Sequence, residues 1–110
     1  MKTMRFPIAI ACLFSVTFLA HAENWDARLA QSASTLGADD RVKALMDVYW
    51  DWQLDQYPEL ATWYGEPGDH GRWTDDSLGA IDTRRKFQRT LLIAVKGVAQ
   101  DELSAERRLD

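Results

Sequence analysis

Apolar side chains recur along this chain with the three-and-four spacing of amphipathic helices. The first long pattern has its apolar residues on one helical face, at Val42, Leu45, Met46, Tyr49 and Trp50. Asp39 or Asp40 is the predicted cap of this helix, because a short acidic side chain accepts the first free amide hydrogens. The helix should end near Gln56, since the residue before Pro58 is pushed out of helical angles.

A short helix and a longer one are predicted after this point. Pro58 suits the first turn of a helix that runs to Tyr64, and Gly65 is a typical C-terminal stop. After a loop rich in glycine and proline, Ser77 is the predicted cap of a helix over residues 78–99. Its expected core-facing residues are Ile81, Phe87, Leu91, Leu92, Val95 and Val98. The sequence therefore predicts an all-α fold, an incomplete bundle of two longer helices and a short proline-initiated helix.

Residues 1–22 have the three-part pattern of a secretory signal peptide. Lys2 and Arg5 give a positive start, residues 6–20 are apolar, and Ala20-His21-Ala22 places small residues at the cleavage positions. The apolar run is shorter than the roughly 20 residues of an ordinary membrane span. We therefore predict an exported protein, periplasmic or extracellular, from which this leader is removed.

The rest of the chain divides into two parts. Residues 23–38 are mostly small and polar, which predicts a lead-in or linker. Residues 39–110 are the predicted amino-terminal helical part of a larger, truncated domain. Ser104 begins a helical pattern that stops at Asp110, and isolated helices need on the order of 12–15 residues. We therefore expect the natural chain to continue, with the remainder of its own domain as partner.

The charge balance excludes two classes of partner. The full sequence has a net charge of −4, and the leader removes two basic residues and no acid. Nucleic-acid binding depends on Lys and Arg that neutralise phosphates, so an acidic chain is a poor candidate for it. The same argument holds for anionic membrane surfaces. We expect neither nucleic acid nor, after cleavage of the leader, a membrane as partner.

Candidate catalytic and metal-binding groups are few. His70 is the one histidine beyond the leader, beside three carboxylates in the loop, Asp69, Asp75 and Asp76. Zinc sites draw three or four ligands from Cys, His and carboxylates at recognisable spacings, and no second histidine or cysteine follows the leader. We expect a solvated turn here, with no catalytic residue, metal ligand or cofactor in this chain. The basic stretch of Arg84, Arg85, Lys86 and Arg89 is interpreted as a solvated helix face.

The aromatic block between Val48 and Gly65 allows three interpretations. Tyr49 and Trp50 share the predicted apolar face, which favours packing between helices. Trp52 departs from that face, and with Trp63 and Trp73 it would form a platform that binds a partner or stacks on a sugar. The third interpretation is an interface with downstream parts of the protein, since exposed aromatic patches commonly mark such interfaces.

The block also carries a family resemblance. The residues that carry it are Tyr49-Trp50-Asp51-Trp52-Gln53-Leu54, Tyr57-Pro58-Glu59-Leu60-Ala61-Thr62, Gly65, Arg72-Trp73-Thr74-Asp75-Asp76-Ser77 and Leu103-Ser104-Ala105-Glu106-Arg107-Arg108-Leu109-Asp110. In this order they resemble the amino-terminal part of a bacterial family called domain of unknown function 885, over residues 40–110. Members of that family are typically exported, mainly helical, and similar to zinc metallopeptidases with a His-Glu-x-x-His helix.

The resemblance implies a scaffold segment of an exported zinc-dependent peptidase or related hydrolase. The parent protein would bind zinc and take a peptide substrate, but no position of this chain matches a catalytic or zinc-binding residue of the family. The segment itself would not be catalytic. The alternative is a small stand-alone periplasmic helical module that binds a protein or glycan through Trp52, Trp63 and Trp73.

Overall fold

Four α-helices and one 3-10 turn make up the described part of the protein. The computed structural model describes residues 23–108, so the predicted signal peptide lies outside it. The elements are α1 (Trp25–Ala33), α2 (Ala38–Gln56), α3 (Pro58–Tyr64), α4 (Leu78–Lys96) and the 3-10 turn Gln100–Glu102. No strand is present within residues 23–108, which confirms the all-α prediction. In the same range, no helix combines the length and apolarity needed to cross a membrane.

Local sequence signals set most helix ends. Helix α3 begins at Pro58 and ends before Gly65, whose φ of 68° is left-handed, as predicted. Helix α4 begins after Ser77, whose hydroxyl accepts a hydrogen bond from the amide of Ala80 at 3.3 Å. The predicted cap of α2 was wrong: Gly37 is the N-cap, and no side chain caps the helix. Asp39 instead accepts a hydrogen bond from the amide of Ser104 at 3.0 Å.

Helix α1 corrects the prediction of a linker over residues 23–38. Asn24 caps it by accepting a hydrogen bond from the amide of Ala27 at 3.0 Å. Leu29 is fully buried, and Trp25 and Ala33 pack against the core at the spacing of one helical face. Short helices gain most of their stability from tertiary packing, so three apolar positions are enough here despite the polar residues between them.

The core lies where α1, α2 and α4 meet. Trp52 of α2 stacks on Phe87 of α4, with ring centroids 4.6 Å apart. Asp39, near the other end of α2, binds Ser104 beyond the end of α4, so the two long helices are antiparallel. The buried cluster consists of Leu29, Ala38, Leu45, Val48, Trp52, Phe87 and Val98.

The buried face of α2 differs from the predicted one. Trp52 is only 2% exposed, whereas Met46 is 56% and Trp50 is 36% exposed. The prediction that Trp52 leaves the core face and joins a partner surface was therefore wrong. The buried positions Ala38, Leu45, Val48 and Trp52 keep a helical spacing. Two adjacent faces of α2 are apolar, and periodicity alone did not identify which one is buried.

The basic stretch of α4 is only partly a solvated face. Arg85 is exposed, as expected for such a face, and pairs with Asp82 at 3.9 Å. Arg84 contradicts the prediction because it is 6% exposed. Its guanidinium lies 5.3 Å from the ring centroid of Tyr57 and donates to the carbonyl oxygen of Asp75 at 2.7 Å. Arg84 therefore fastens the loop before α4 to the end of α2.

Candidate functional site

Helix α3 and the loop after it enclose an open cleft of about 200 Å³. Trp63 is 85% exposed and Trp73 is 79% exposed, and both line this cleft. The complete lining is Glu59, Thr62, Trp63, His70, Arg72 and Trp73. The structure thus brings together two of the three tryptophans proposed from the sequence, and it places the third, Trp52, in the core.

The short helix α3 directs its polar and aromatic residues outward. Pro58 and Ala61 form its buried side, so Thr62 and Trp63 face the solvent. The loop then turns back closely over α3, because a Cβ on Gly68 would lie 2.9 Å from the Cβ of Ala61. Ala61 is buried and cannot move away, so this close approach requires glycine.

Glu59 holds the far end of the loop. Its carboxylate accepts two hydrogen bonds from Thr74, from the amide at 2.9 Å and from the hydroxyl at 2.6 Å. These bonds favour the ionised form, and they lower the pKa of Glu59 below its ordinary value of 4.5, the hydroxyl more than the amide. Because Thr74 follows Trp73 directly, these bonds to Glu59 also hold the backbone of Trp73 in place.

Asp55 connects three elements beneath the cleft. Arg72 of the loop donates from Nη2 to the carbonyl oxygen of Asp55 at 2.7 Å and to its carboxylate at 3.0 Å. The same carboxylate accepts hydrogen bonds from the indole of Trp25 at 3.1 Å and from Gln56 at 2.9 Å. Asp55 therefore joins α1, α2 and the loop. This role could not be predicted from the sequence, because one acid among many has no spacing that singles it out.

His70 and Thr62 form the polar floor of the cleft. The imidazole Nδ1 and the hydroxyl of Thr62 are 2.7 Å apart. A hydroxyl beside an imidazole is the first half of a nucleophilic arrangement, but such sites also orient the base through a third group. Within residues 23–108, the second ring nitrogen of His70 makes no such hydrogen bond. We therefore assign this pair to holding the loop against α3.

Among residues 23–108, no cluster of three or more His, Cys, Asp or Glu side chains is placed to hold a metal ion. The acids nearest the cleft have other partners: Glu59 binds Thr74, and Asp75 accepts a hydrogen bond from the amide of Ser77 at 2.9 Å. That bond is the main cause of a lowered pKa at Asp75. These acids therefore stabilise the loop through hydrogen bonds.

Comparison with known proteins identified no relative. No protein-family model, curated protein or solved structure matches this chain. The resemblance to the domain of unknown function 885 therefore stays a prediction.

Proposed function

We propose that this chain is the amino-terminal scaffold segment of an exported, zinc-peptidase-like hydrolase and that it contributes contacts rather than chemistry. The supporting observation is an apolar surface on the side of the α2–α4 pair that α1 leaves uncovered. We call this surface the open face and define it by Met46 and Trp50 of α2 and Leu92 and Val95 of α4, all of them exposed. The remainder of the same domain is the proposed partner of the open face.

The polar contacts of α2 locate its two sides. Asp51 binds Arg28 of α1 at 2.6 Å, and Asp55 binds Trp25 of α1 at 3.1 Å. Met46 and Trp50 each precede one of these acids by five residues, which turns them roughly 140° away around the helix. The apolar pair on α2 therefore points away from α1.

The same geometry holds for α4. Thr83 and Lys86 line a cavity together with Trp25 of α1, so they mark the side that faces α1. Leu92 and Val95 are turned roughly 120° or more from both of these residues. Both side chains are exposed on the part of α4 that is turned away from α1, and we assign them to the open face on that basis.

An apolar surface of this kind is typical of an interface. Helices that are apolar on more than one side usually lie inside a larger structure, and exposed apolar patches mark contact surfaces. Tyr64 of α3 extends the surface, because its ring packs edge-on against Trp50 with centroids 5.2 Å apart. The proposed parent protein would supply a zinc-activated water, as its resemblance implies. This chain would supply one wall of the domain.

The coding sequence downstream of Asp110 tests the proposal directly. We expect an open reading frame that continues to a His-Glu-x-x-His motif. In the extended protein, Met46→Lys should lower the melting temperature more than Leu36→Lys, because Leu36 is exposed outside the open face.

Two results would overturn this proposal. One is a stop codon after Asp110 together with a folded, monomeric product, which would favour the stand-alone module instead. The other is tight, stoichiometric zinc uptake by the 110-residue chain alone. The second result would show a metal site where the proposal places only scaffold.

A further inference from the structure

We propose that the cleft between Trp63 and Trp73 binds one ring of a neutral glycan chain. We call it the tryptophan cleft, defined by its six lining residues. The proposed scaffold function does not involve this cleft. The cleft could bind a glycan whether the chain acts alone or within a larger protein. Three observations carry it: the exposure of the two indoles, the chemistry of the polar lining, and the size of the cleft.

The two indoles have no packing role within the described structure. Neither belongs to the buried cluster or packs against it, although each is among the largest apolar groups of the chain. Large aromatic side chains gain free energy when a partner covers them, and their flat faces favour ligands with flat apolar faces. A pyranose ring presents such a face through its C–H groups. Its hydroxyl groups point outward around the ring edge.

The polar lining suits hydroxyl groups better than ionic groups. The positive charge of Arg72 is paired with Asp55, and the carboxylate of Glu59 accepts both hydrogen bonds of Thr74. An anionic ligand would compete with Asp55, and a cationic one would meet Arg72 nearby. Within the described residues, Nε and Nη1 of Arg72 make no hydrogen bond, so they can donate to neutral oxygen atoms.

The size and openness of the cleft indicate one unit of a longer chain. Its volume of about 200 Å³ is below the ~300–1,000 Å³ of pockets that enclose drug-sized ligands. A proline-rich peptide would also stack on aromatic rings. Such a peptide offers mainly carbonyl acceptors, however, whereas Thr62 and His70 add groups that both donate and accept. Sugar hydroxyls match both functions, so the lining favours a glycan.

Calorimetric titration of the full chain tests this assignment. The probes are soluble oligosaccharides of cellulose, chitin and starch, with a proline-rich peptide as the competing class. We expect at least one oligosaccharide to bind saturably, and Trp63→Ala and Trp73→Ala should each weaken that binding about tenfold or more. Ile93→Ala is the control: it truncates a large apolar side chain of α4 that is 72% exposed and lies outside both the tryptophan cleft and the open face, and it should change affinity by less than about twofold.

The fold of each variant is checked by circular dichroism, and both cleft tryptophans are exposed, so the helical spectrum should be unchanged. Failure of every oligosaccharide to bind the folded wild-type chain would overturn the proposal. Equal loss of binding in Ile93→Ala, or binding of the peptide in place of any glycan, would do the same. These outcomes are independent of the reading frame after Asp110, so the two proposals can fail separately.

Discussion

The buried position of Trp52 leads to a quantitative prediction. Trp52→Ala should remove the stack on Phe87 at 4.6 Å and the edge-on contact with Tyr57 at 6.3 Å. Truncation of a buried aromatic side chain to alanine typically costs about 3–5 kcal/mol. The net free energy of unfolding of folded proteins is about 0.05–0.15 kcal/mol per residue, which gives ~4–13 kcal/mol for residues 23–108. The substitution should therefore remove a large share of the total stability.

Urea denaturation followed by circular dichroism measures this effect. With a slope of about 1 kcal/mol per molar urea for a protein of this size, Trp52→Ala should lower the midpoint by roughly 3 M or leave the chain unfolded in water. Trp63→Ala makes the same chemical change at an exposed side chain and should alter the unfolding free energy by less than about 0.5 kcal/mol. Equal effects of the two substitutions would refute the assignment of Trp52 to the core.

Three further predictions concern the contacts that hold the loop. Asp55→Asn should lower the unfolding free energy by about 1–2 kcal/mol, because it weakens half-exposed charged hydrogen bonds that join three elements. The control Asp47→Asn changes an exposed ion pair within one helix and should alter the unfolding free energy by less than about 0.5 kcal/mol. Thermal denaturation of the two variants measures the difference. Gly68→Ala should lower the unfolding free energy by about 1–3 kcal/mol, because the new methyl group would overlap with Ala61. Faster proteolytic cleavage within the loop would reveal this loss of stability. The pKa of Glu59 is lowered, so the stability that its hydrogen bonds to Thr74 contribute is complete above the ordinary value of 4.5 and is lost as the pH falls through the lower folded value. Tryptophan fluorescence should therefore show an acid transition below pH 4.5 that Glu59→Gln lacks.

Helix ends defined by local chemistry could be predicted from the sequence. Pro58 and Gly65 bound α3 as expected, because a fixed φ favours the first helical turn and a left-handed glycine ends the last one. Ser77 was likewise recognised as the cap of α4. These signals involve only neighbouring residues and hold where no distant partner competes. The predicted cap of α2 is the exception, since Asp39 binds the amide of Ser104 instead.

Features that depend on tertiary contacts could not be predicted in the same way. Trp50 and Trp52 are two residues apart on a helix with two adjacent apolar faces, and only the positions of α1 and α4 decide which indole is buried. The candidate site likewise combines features that the sequence suggests with features that depend on tertiary contacts. The exposure of Trp63 and Trp73 agrees with one of the three interpretations of the aromatic residues, and the sequence does not choose among them. The roles of Asp55 and Glu59 depend on contacts with loop residues 15–17 positions away in the chain.

The open face and the tryptophan cleft differ in chemistry, and that difference favours the two separate partners that we propose for them. The open face at Met46 and Trp50 is lined mainly by apolar side chains, so packing against protein would bury it at the cost of one acceptor for the indole N–H of Trp50. The tryptophan cleft combines its indoles with the guanidinium of Arg72 and other polar groups, which apolar packing would leave unsatisfied. A single protein partner that covered both surfaces would have to provide many hydrogen bonds at one and few at the other. Separate occupants, a protein domain for the open face and a hydroxyl-rich ligand for the cleft, remove this conflict.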